Sequence, residues 1–278
     1  MLRSLLKKFG HRHFILSGIR KRIIWFFFDA HLLKDFEFTE SFFGLKYSGN
    51  THIYIDRFKY FFGAYELGML AVIRDVLGDK KDKVFVDVGA NIGHHSLFAS
   101  IYAREVHSFE PYHKVLSTFK DRIQENGVRN IFIHSVGLGS KNSVMPFFEP
   151  NDVNTGTGSF ISNHSSSNLN KGQELEIRVG DEILSALDRI DLIKIDVEGF
   201  EVEVLKGLLD TLKKFRPTLL IEYSVQTMEA MQSTPEIKRF LQDNYQIKRF
   251  RNPNDFPPQL QDADFETAGF VDLMFCPK

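Results

Sequence analysis

The stretch "VFVDVGANIGHHS" (residues 84–96) joins an apolar run to two glycines, four residues apart, and then to two adjacent histidines. The apolar run predicts a buried β-strand that ends at Asp87. Gly89 and Gly93 allow the backbone to turn and to approach a ligand closely, because neither residue has a Cβ atom. The helix predicted over residues 92–102 begins with free backbone N–H groups. Strand, glycine turn and helix in this order predict a nucleotide or nucleoside site.

The rest of the chain after residue 81 repeats this alternation of short apolar strands and helices. Strands are predicted at "EVHSFE" (105–110), "NIFIHSV" (130–136), "IDLIKIDV" (190–197) and "PTLLIEY" (217–223), with helical segments between them. The pattern predicts an α/β fold with a mostly parallel sheet and helices on both faces. Two further strands, at 245–250 and 269–276, are expected to form an antiparallel pair at one edge of the sheet.

Residues 1–80 differ from this pattern, and we expect a basic and aromatic extension there, followed by the main domain at 81–278. "THIYIDRF" (51–58) alternates like a strand, and residues 64–78 predict an amphipathic helix that Gly78 closes. The first 24 residues contain seven basic residues and no acidic one. This segment is either a docked helix with a solvated face or a peripheral contact with a membrane surface.

Composition excludes several classes of protein. The net charge of −1 argues against a chain whose overall field attracts nucleic acid. The single cysteine, Cys276, excludes a disulfide framework and a cysteine-rich metal site. No apolar run approaches the roughly 20 residues that span a bilayer, and the basic start lacks the apolar stretch of a signal peptide. We therefore expect a cytoplasmic protein; its oligomeric state is left open.

The side chains around the glycine turn indicate which nucleoside ligand fits. The turn reads G-A-N-I-G, with Asn91 in place of one glycine of the dinucleotide fingerprint. Asp87 would repel a pyrophosphate, but it suits the ammonium group of S-adenosylmethionine (SAM). Glu110 ends the second predicted strand, about 20 residues after the turn, where a carboxylate can accept both ribose hydroxyls. An NAD-dependent oxidoreductase would use Glu110 in the same way and is the first alternative.

Several segments resemble the FkbM-type methyltransferase family. They are "VFVDVGANIGHHSLFAS", "VHSFEP" and above all "IDLIKIDVEGFEVEVLKG" at residues 190–207. "FGAYELG" (62–68) and "RPTLLIEY" (216–223) also have counterparts in that family, so the resemblance covers about residues 50–223. It implies a class I SAM-dependent methyltransferase fold, whose seven-stranded sheet is parallel except for one strand, and most often O-methylation of polyketides, sugars or other glycans.

The resemblance also implies residues that hold the cofactor. It places Glu110 at the ribose and residues 136–138, with Gly137 at their centre, beside the adenine. The positions implied along the methionine part of SAM are Asp87, Gly89, Asn91 and Gly93.

Methyl transfer to a hydroxyl requires positioning and benefits from a general base. Asp196 is the first candidate, at the pocket end of its strand, and Glu198 follows in a tight turn. His94 and His95 open the helix after the glycine turn, and either could serve as a base near neutral pH. Two carboxylates could instead hold a divalent metal, but without a third clear oxygen ligand we predict no metal site. Lys194 is expected to pair with a strand-end carboxylate such as Asp87 or Glu222.

The predicted function is therefore SAM-dependent O-methylation of a glycan, sugar or other polyhydroxylated metabolite. The polar segment at residues 149–172 could cover such an acceptor, with Phe160 stacked on a sugar ring; a lid that only excludes water is the equal alternative. A third class is a non-catalytic scaffold held at a membrane by residues 1–28.

Overall fold

The computed structural model describes residues 2–12, 17–29, 32–149, 170–266 and 271–278. Most of the polar segment at 149–172, including Phe160, lies outside the described residues. The helices, in chain order, are α1 Leu2–Gly10, α2 Ser17–Asp29, α3 Tyr54–Phe62, α4 Leu67–Leu77, α5 His94–Ala99, α6 His113–Asn126, α7 Gly180–Leu184, α8 Glu201–Gly207, α9 Leu209–Phe215, α10 Val225–Gln232 and α11 Pro235–Asn244.

The strands, in chain order, are β1 Glu37–Phe42, β2 Leu45–Asn50, β3 Val84–Val88, β4 Glu105–Phe109, β5 Ile131–His134, β6 Gly137–Gly139, β7 Ser143–Glu149, β8 Asn170–Val179, β9 Leu192–Ile195, β10 Thr218–Tyr223, β11 Tyr245–Phe250, β12 Leu260–Asp262 and β13 Val271–Pro277. Among the described strands, eight form the central sheet, β1 and β2 form a hairpin, and β6, β8 and β7 form a third sheet.

The central sheet runs in the order β12-β11-β13-β10-β9-β3-β4-β5. Strands β10, β9, β3, β4 and β5 are parallel to one another, and β13 is antiparallel to both β10 and β11. This is the predicted mostly parallel α/β arrangement of class I methyltransferases. The expected count of seven strands is wrong by one, because the short strand β12 adds an antiparallel edge beside β11. The expected pairing of the last two long strands is confirmed, although β13 lies inside the sheet.

Both faces of the sheet are buried, which explains why its strands read as continuous apolar runs. Side chains alternate along β3, so that Val84, Val86 and Val88 join one apolar cluster while Phe85 joins the other. In β9, Ile193 joins the same cluster as the three valines, and Leu192 joins the cluster of Phe85. Asp87 therefore shares the face of Phe85, and Lys194 shares the face of Leu192. That face is the one covered by α4 and α5.

The N-terminal part shares its core with the sheet. The hairpin residues Phe42 and Tyr47 belong to the same apolar cluster as Phe98 of α5 and Leu220 of β10. The predicted boundary near residue 80 thus does not separate two cores. A buried ion pair of 2.7 Å between Arg122 of α6 and Asp56 of α3 joins the two parts further.

One local prediction in this part is wrong: residues 51–58 do not form a strand. The chain forms α3 from Tyr54, and Phe58, Phe61 and Phe62 are buried at the three- and four-residue spacing of a helix. The helix predicted at 64–78 is confirmed as α4, and the N–H of Gly78 bonds to the carbonyl of Arg74 at its end. No helix in the described ranges is long and apolar enough to cross a membrane.

Candidate active site

The glycine turn lies at the carboxyl end of β3, between β4 on one side and β9 on the other. The strand order reverses at this point, which is where open α/β sheets bind ligands. Gly89 has a φ of +84°, and a Cβ atom there would lie 1.8 Å from the carbonyl oxygen of Asp196. Gly93 has a φ of +78°, and a Cβ atom there would lie 2.0 Å from the ring of Phe119. Both glycines are therefore needed for the turn to close against its neighbours.

Glu110 follows β4 and holds the glycine turn through backbone hydrogen bonds. Its Oε2 accepts from the N–H of Asn91 and its Oε1 from the N–H of Tyr112, each at 2.8 Å. Burial raises the pKa of Glu110 to about 7, although these two hydrogen bonds oppose the shift. Each carboxylate oxygen retains a second lone pair, so the group is positioned in advance to accept from a ligand.

Two more acceptor oxygens along the turn, one on Asp87 and one on Asn91, have no hydrogen-bond partner. Asp87 is fully buried, and its Oδ2 accepts from the hydroxyl of Ser96 at 2.5 Å, but its Oδ1 is unpaired. The Oδ1 of Asn91 is also buried and unpaired. Leaving such groups unsatisfied costs about 1–3 kcal/mol each. Two unpaired oxygens beside a glycine turn fit the ammonium group of an amino-acid ligand.

Gly137, the residue implied at the adenine, lies in β6 and pairs with Ile177 of β8. It is buried, and it follows the end of β5 at His134 by three residues. The segment thus leaves the central sheet at the carboxyl edge and enters the small sheet.

Acidic side chains from three adjacent strands line the other half of the edge. Ile195 pairs with Ile221, which places Asp196 beside Glu222, and Glu222 pairs directly with Asp272. Like charges opposite each other destabilise a sheet. A row of this kind therefore calls for compensation by a cation, protons or a ligand.

Three of these side chains converge closely. Carboxylate oxygens of Asp196, Glu198 and Glu222 all lie within 4.8 Å of one another. The expectation that Asp196 and Glu198 lack a third oxygen ligand is wrong, because β10 supplies Glu222. Three carboxylates at this spacing have the donor set of a divalent cation site.

Lys194 is the main positive charge in this region. Its Nζ donates to Oδ2 of Asp196 at 2.7 Å, rather than to Asp87 or Glu222 as expected. Burial alone would lower the pKa of Lys194, but the charges of Asp196 and Asp87 outweigh it and hold that pKa above its usual value. Burial alone would raise the pKa of Asp196, but the charge of Lys194 and its hydrogen bond hold that pKa below its usual value. Asp196 is therefore the ionised member of the cluster.

The other acids shift in the opposite direction. Burial and then the charge of Asp196 raise the pKa of Glu198 to about 8. Burial, together with Asp196 and Glu198, raises the pKa of Glu222 well above its usual value. The pKa of Asp272 is also raised well above its usual value, by burial and by the charge of Glu66. Neighbouring carboxyl groups with separated pKa values are typical of sites that move protons.

Glu201 supports the tight turn that carries Glu198. Its Oε1 accepts from the N–H groups of Val197 (3.0 Å) and Gly199 (3.1 Å), and its Oε2 accepts from the hydroxyl of Thr227 at 2.5 Å. Glu198 itself has a left-handed φ of +54°. Glu201 was not a candidate in the sequence, although it lies in the quoted segment at residues 190–207.

The two histidines point to different sides of α5. His94 is fully buried, with its Nε2 3.1 Å from the carbonyl oxygen of Tyr65 and its Nδ1 3.3 Å from the hydroxyl of Tyr47. Burial holds the pKa of His94 well below its usual value. These contacts give His94 a structural role in the N-terminal core and do not favour its predicted role as a base.

His95 is the histidine on the side of the acidic cluster. Its Nε2 lies 3.0 Å from Oε2 of Glu66, and both side chains are about 8% exposed. Charge interactions link His95 to Asp196, and Glu66 to Lys194 and Asp272. Glu66 was not a candidate in the sequence, although it lies in the quoted segment at residues 62–68; its left-handed φ of +50° is visible only in the structure.

Comparison with known proteins identifies the family of the chain. The sequence profile of the methyltransferase FkbM domain matches residues 87–247, which contain the glycine turn and every acid of the cluster except Asp272 and Glu66. Hexuronic acid methyltransferase AglP of Haloferax volcanii is 33% identical over 148 residues, covering 51% of this chain and 57% of that protein. Methyltransferase 1 of Beauveria bassiana is 30% identical over 156 residues, covering 49% of this chain and 62% of that protein.

Thus the chain spans less than two thirds of the length of the curated relatives that it matches. Among solved structures, the methyltransferase FkbM from Methylobacillus flagellatus KT is similar, with a TM-score of 0.47 and 22% identity, over 70% of this chain and 44% of that one. Because the family profile matches more than half of its residues, the chain belongs to the methyltransferase FkbM domain family.

Proposed function

We propose that this protein is a SAM-dependent O-methyltransferase that acts on a hydroxyl group of a sugar, a glycan or another polyhydroxylated metabolite. The observation that carries the proposal is the glycine turn, where Glu110 is fixed by two backbone N–H groups beside the unpaired oxygens of Asp87 and Asn91. A nucleoside that also carries an ammonium group matches those acceptors. The sugar substrate named for one relative supports the acceptor class.

The residues divide between two tasks. We assign the ribose hydroxyls to Glu110, the ammonium group to Asp87 and Asn91, and the adenine border to the segment around Gly137. When bound, the cofactor would supply a methyl group activated by a sulfonium centre. The protein must then hold the acceptor hydroxyl in line with that methyl group and remove its proton.

We assign proton removal to the carboxyl groups at the end of β9. Asp196 stays ionised beside Lys194 and can accept the hydrogen bond of the acceptor hydroxyl. Glu198, with a pKa of about 8, lies within 4.8 Å of Asp196 and can exchange protons near neutral pH. A base whose pKa lies near the working pH is the most effective.

Ligand binding and product analysis test this proposal. S-adenosylhomocysteine should raise the melting temperature of the protein, and NADH should leave it unchanged. Incubation with SAM and a set of hexuronic acids, neutral sugars and oligosaccharides should yield a product one methyl group heavier by mass spectrometry. Stabilisation by NADH alone would instead support the oxidoreductase, and binding of S-adenosylhomocysteine without any methylated sugar would move the acceptor to another class.

A further inference from the structure

The N-terminal helix α2 has apolar side chains on two opposite sides. Ile24 and Phe28 are buried in the aromatic cluster that includes Phe58, Phe61 and Phe62 of α3. Ile19, Ile23 and Phe26 are 50%, 41% and 60% exposed. At about 100° per residue, these three side chains project within about 60° of one another, on the side away from Ile24 and Phe28. One side of α2 anchors the helix, and the other presents an apolar strip to solvent.

The neighbouring helix α1 adds to this surface. Arg20 of α2 donates a hydrogen bond to the carbonyl of Gly10 at the end of α1, and Leu6 of α1 enters the same aromatic cluster. Leu2 and Leu5 of α1 are 36% and 55% exposed. Both helices are therefore packed on the protein through one side and expose large apolar side chains on the other.

Positive charge surrounds these apolar side chains. No acidic residue precedes Asp29 in the sequence. Arg22 borders the apolar strip of α2 directly, about 60° around the helix from Ile19. Arg3 and Lys8 of α1 and Arg12, which follows α1, are also exposed, whereas Lys21 of α2 donates to the hydroxyl of Tyr54 on the anchored side.

The combination of exposed apolar side chains and basic residues favours one kind of binding partner for this surface over another. A second copy of the chain would bring the same cations against each other across a two-fold interface, which opposes self-association. An anionic bilayer offers negative headgroups to the basic residues and a hydrocarbon boundary to Ile19, Ile23 and Phe26. Because α2 is already folded and anchored by its buried side, such docking requires no rearrangement.

We propose that α1 and α2 dock this protein peripherally on an anionic lipid surface, with the strip Ile19–Ile23–Phe26 inserted among the headgroups. The proposal is independent of the methyl-transfer function. It concerns a surface made by α1 and α2, whereas the candidate active site lies at the carboxyl edge of the central sheet.

Sedimentation of the full-length protein with vesicles, without cofactor, tests it. The protein should bind phosphatidylcholine vesicles that contain phosphatidylserine more strongly than vesicles of phosphatidylcholine alone. Raising the salt concentration from 0.1 to 0.5 M should weaken the binding, because screening becomes effective at shorter distances (about 10 Å at 0.1 M). The double change Ile23→Asp and Phe26→Asp should lower the partition coefficient at least about tenfold, since the two inserted side chains together contribute more than about 1.4 kcal/mol. Val144→Asp, at a residue 62% exposed on β7, is the matched control and should bind like the parent.

Arg22→Glu provides a second variant that removes no apolar contact and should also reduce binding to anionic vesicles. Circular dichroism should show the same helix content for all variants. Binding that is equal on neutral and anionic vesicles, or that survives both the double change and Arg22→Glu, would overturn the proposal. So would a parent protein that stays in the supernatant and self-associates in sedimentation velocity, with the self-association lost in the double variant.

Discussion

The two halves of the carboxyl edge of the sheet use carboxylates in opposite ways. In the half next to β4, Glu110 accepts one backbone N–H with each oxygen, so its position is fixed by neutral dipoles. In the half at β9 and β10, Asp196, Glu198 and Glu222 lie within 4.8 Å of one another, with Lys194 as the cation that bonds to the group. The first half holds its carboxylate in place with hydrogen bonds, as the binding role proposed for it requires. The second half depends on protons or cations, as a reacting centre does.

The largest effect is expected from a change in the half at β9 and β10 alone. Asp196→Asn should slow methyl transfer by about 10²–10⁴-fold, because a general base contributes about that factor. Affinity for S-adenosylhomocysteine should stay within a few-fold of the parent, since the cofactor half is untouched. Single-turnover rates and titration calorimetry measure the two quantities. A variant that loses affinity and rate equally would show that the two halves are not separable.

A chelator decides how the acidic cluster is compensated. If Lys194 and bound protons suffice, EDTA should leave the rate of the parent unchanged, and the loss in Asp196→Asn should be the same with and without it. Strong inhibition that Mg²⁺ or Mn²⁺ reverses would instead make Asp196, Glu198 and Glu222 ligands of a cation.

The next largest effect is expected from a change in the half next to β4. Hydrogen bonds to a charged acceptor contribute about 1.5–3 kcal/mol. Glu110→Ala should therefore weaken S-adenosylhomocysteine binding by about 10–150-fold, and Glu110→Asp should fall between. Because the pKa of Glu110 is about 7, the affinity of the parent should rise between pH 6 and 8 as the carboxylate ionises. Glu110→Gln should show no such rise.

The same change should also affect stability. Removing the carboxylate leaves the N–H groups of Asn91 and Tyr112 without their acceptor, so Glu110→Ala should melt at a lower temperature than Glu110→Gln. Calorimetry at a temperature where circular dichroism shows each variant folded separates the two effects. A folded Glu110→Ala protein that binds like the parent would place the ribose elsewhere.

The smallest expected effect is a change in how stability depends on pH, and it concerns the half at β9 and β10. A carboxyl group whose pKa is raised on folding binds more protons in the folded than in the unfolded state, so its contribution to stability falls as pH rises. For Glu198 the window runs from its ordinary pKa of 4.5 to about 8. Glu198→Gln should therefore gain stability relative to the parent as the pH rises across this window. Melting curves of both proteins from pH 5 to 8 test this; a constant difference between them contradicts it.

The sequence was informative wherever a candidate side chain lies at the end of its own strand or follows it directly. Asp87, Glu110 and Asp196 end apolar runs, and the structure places all three at the carboxyl edge. The alternation in "THIYIDRF" misled because Ile53 and Ile55 alternate across the start of α3 at Tyr54, where the helical spacing begins. Local patterns of fewer than about eight residues do not distinguish strand from helix reliably when aromatic residues are frequent.

Residues that come together from different strands could not be predicted from local sequence patterns. Glu222 and Asp272 join the cluster through the register of β10 with β9 and β13, which no spacing along the chain encodes. Glu66 reaches it from the start of α4, and the choice between His94 and His95 depends on which side of α5 faces the sheet. Glu222 was expected only as a partner of Lys194, so its place as a third carboxylate beside Asp196 was missed, and with it the donor set for a cation.

The contact at Gly89 also has a consequence for protein engineering. The carbonyl oxygen of Asp196 occupies the space that a Cβ atom of residue 89 would need, at 1.8 Å. The spacing between the two loops is therefore set by main chain against main chain, and ordinary changes of side chain elsewhere leave it intact. A chimera that exchanged only one of these loops with a relative would inherit a mismatched pair. Transplanting acceptor preference should succeed only when residues 87–93 and 196–201 move together.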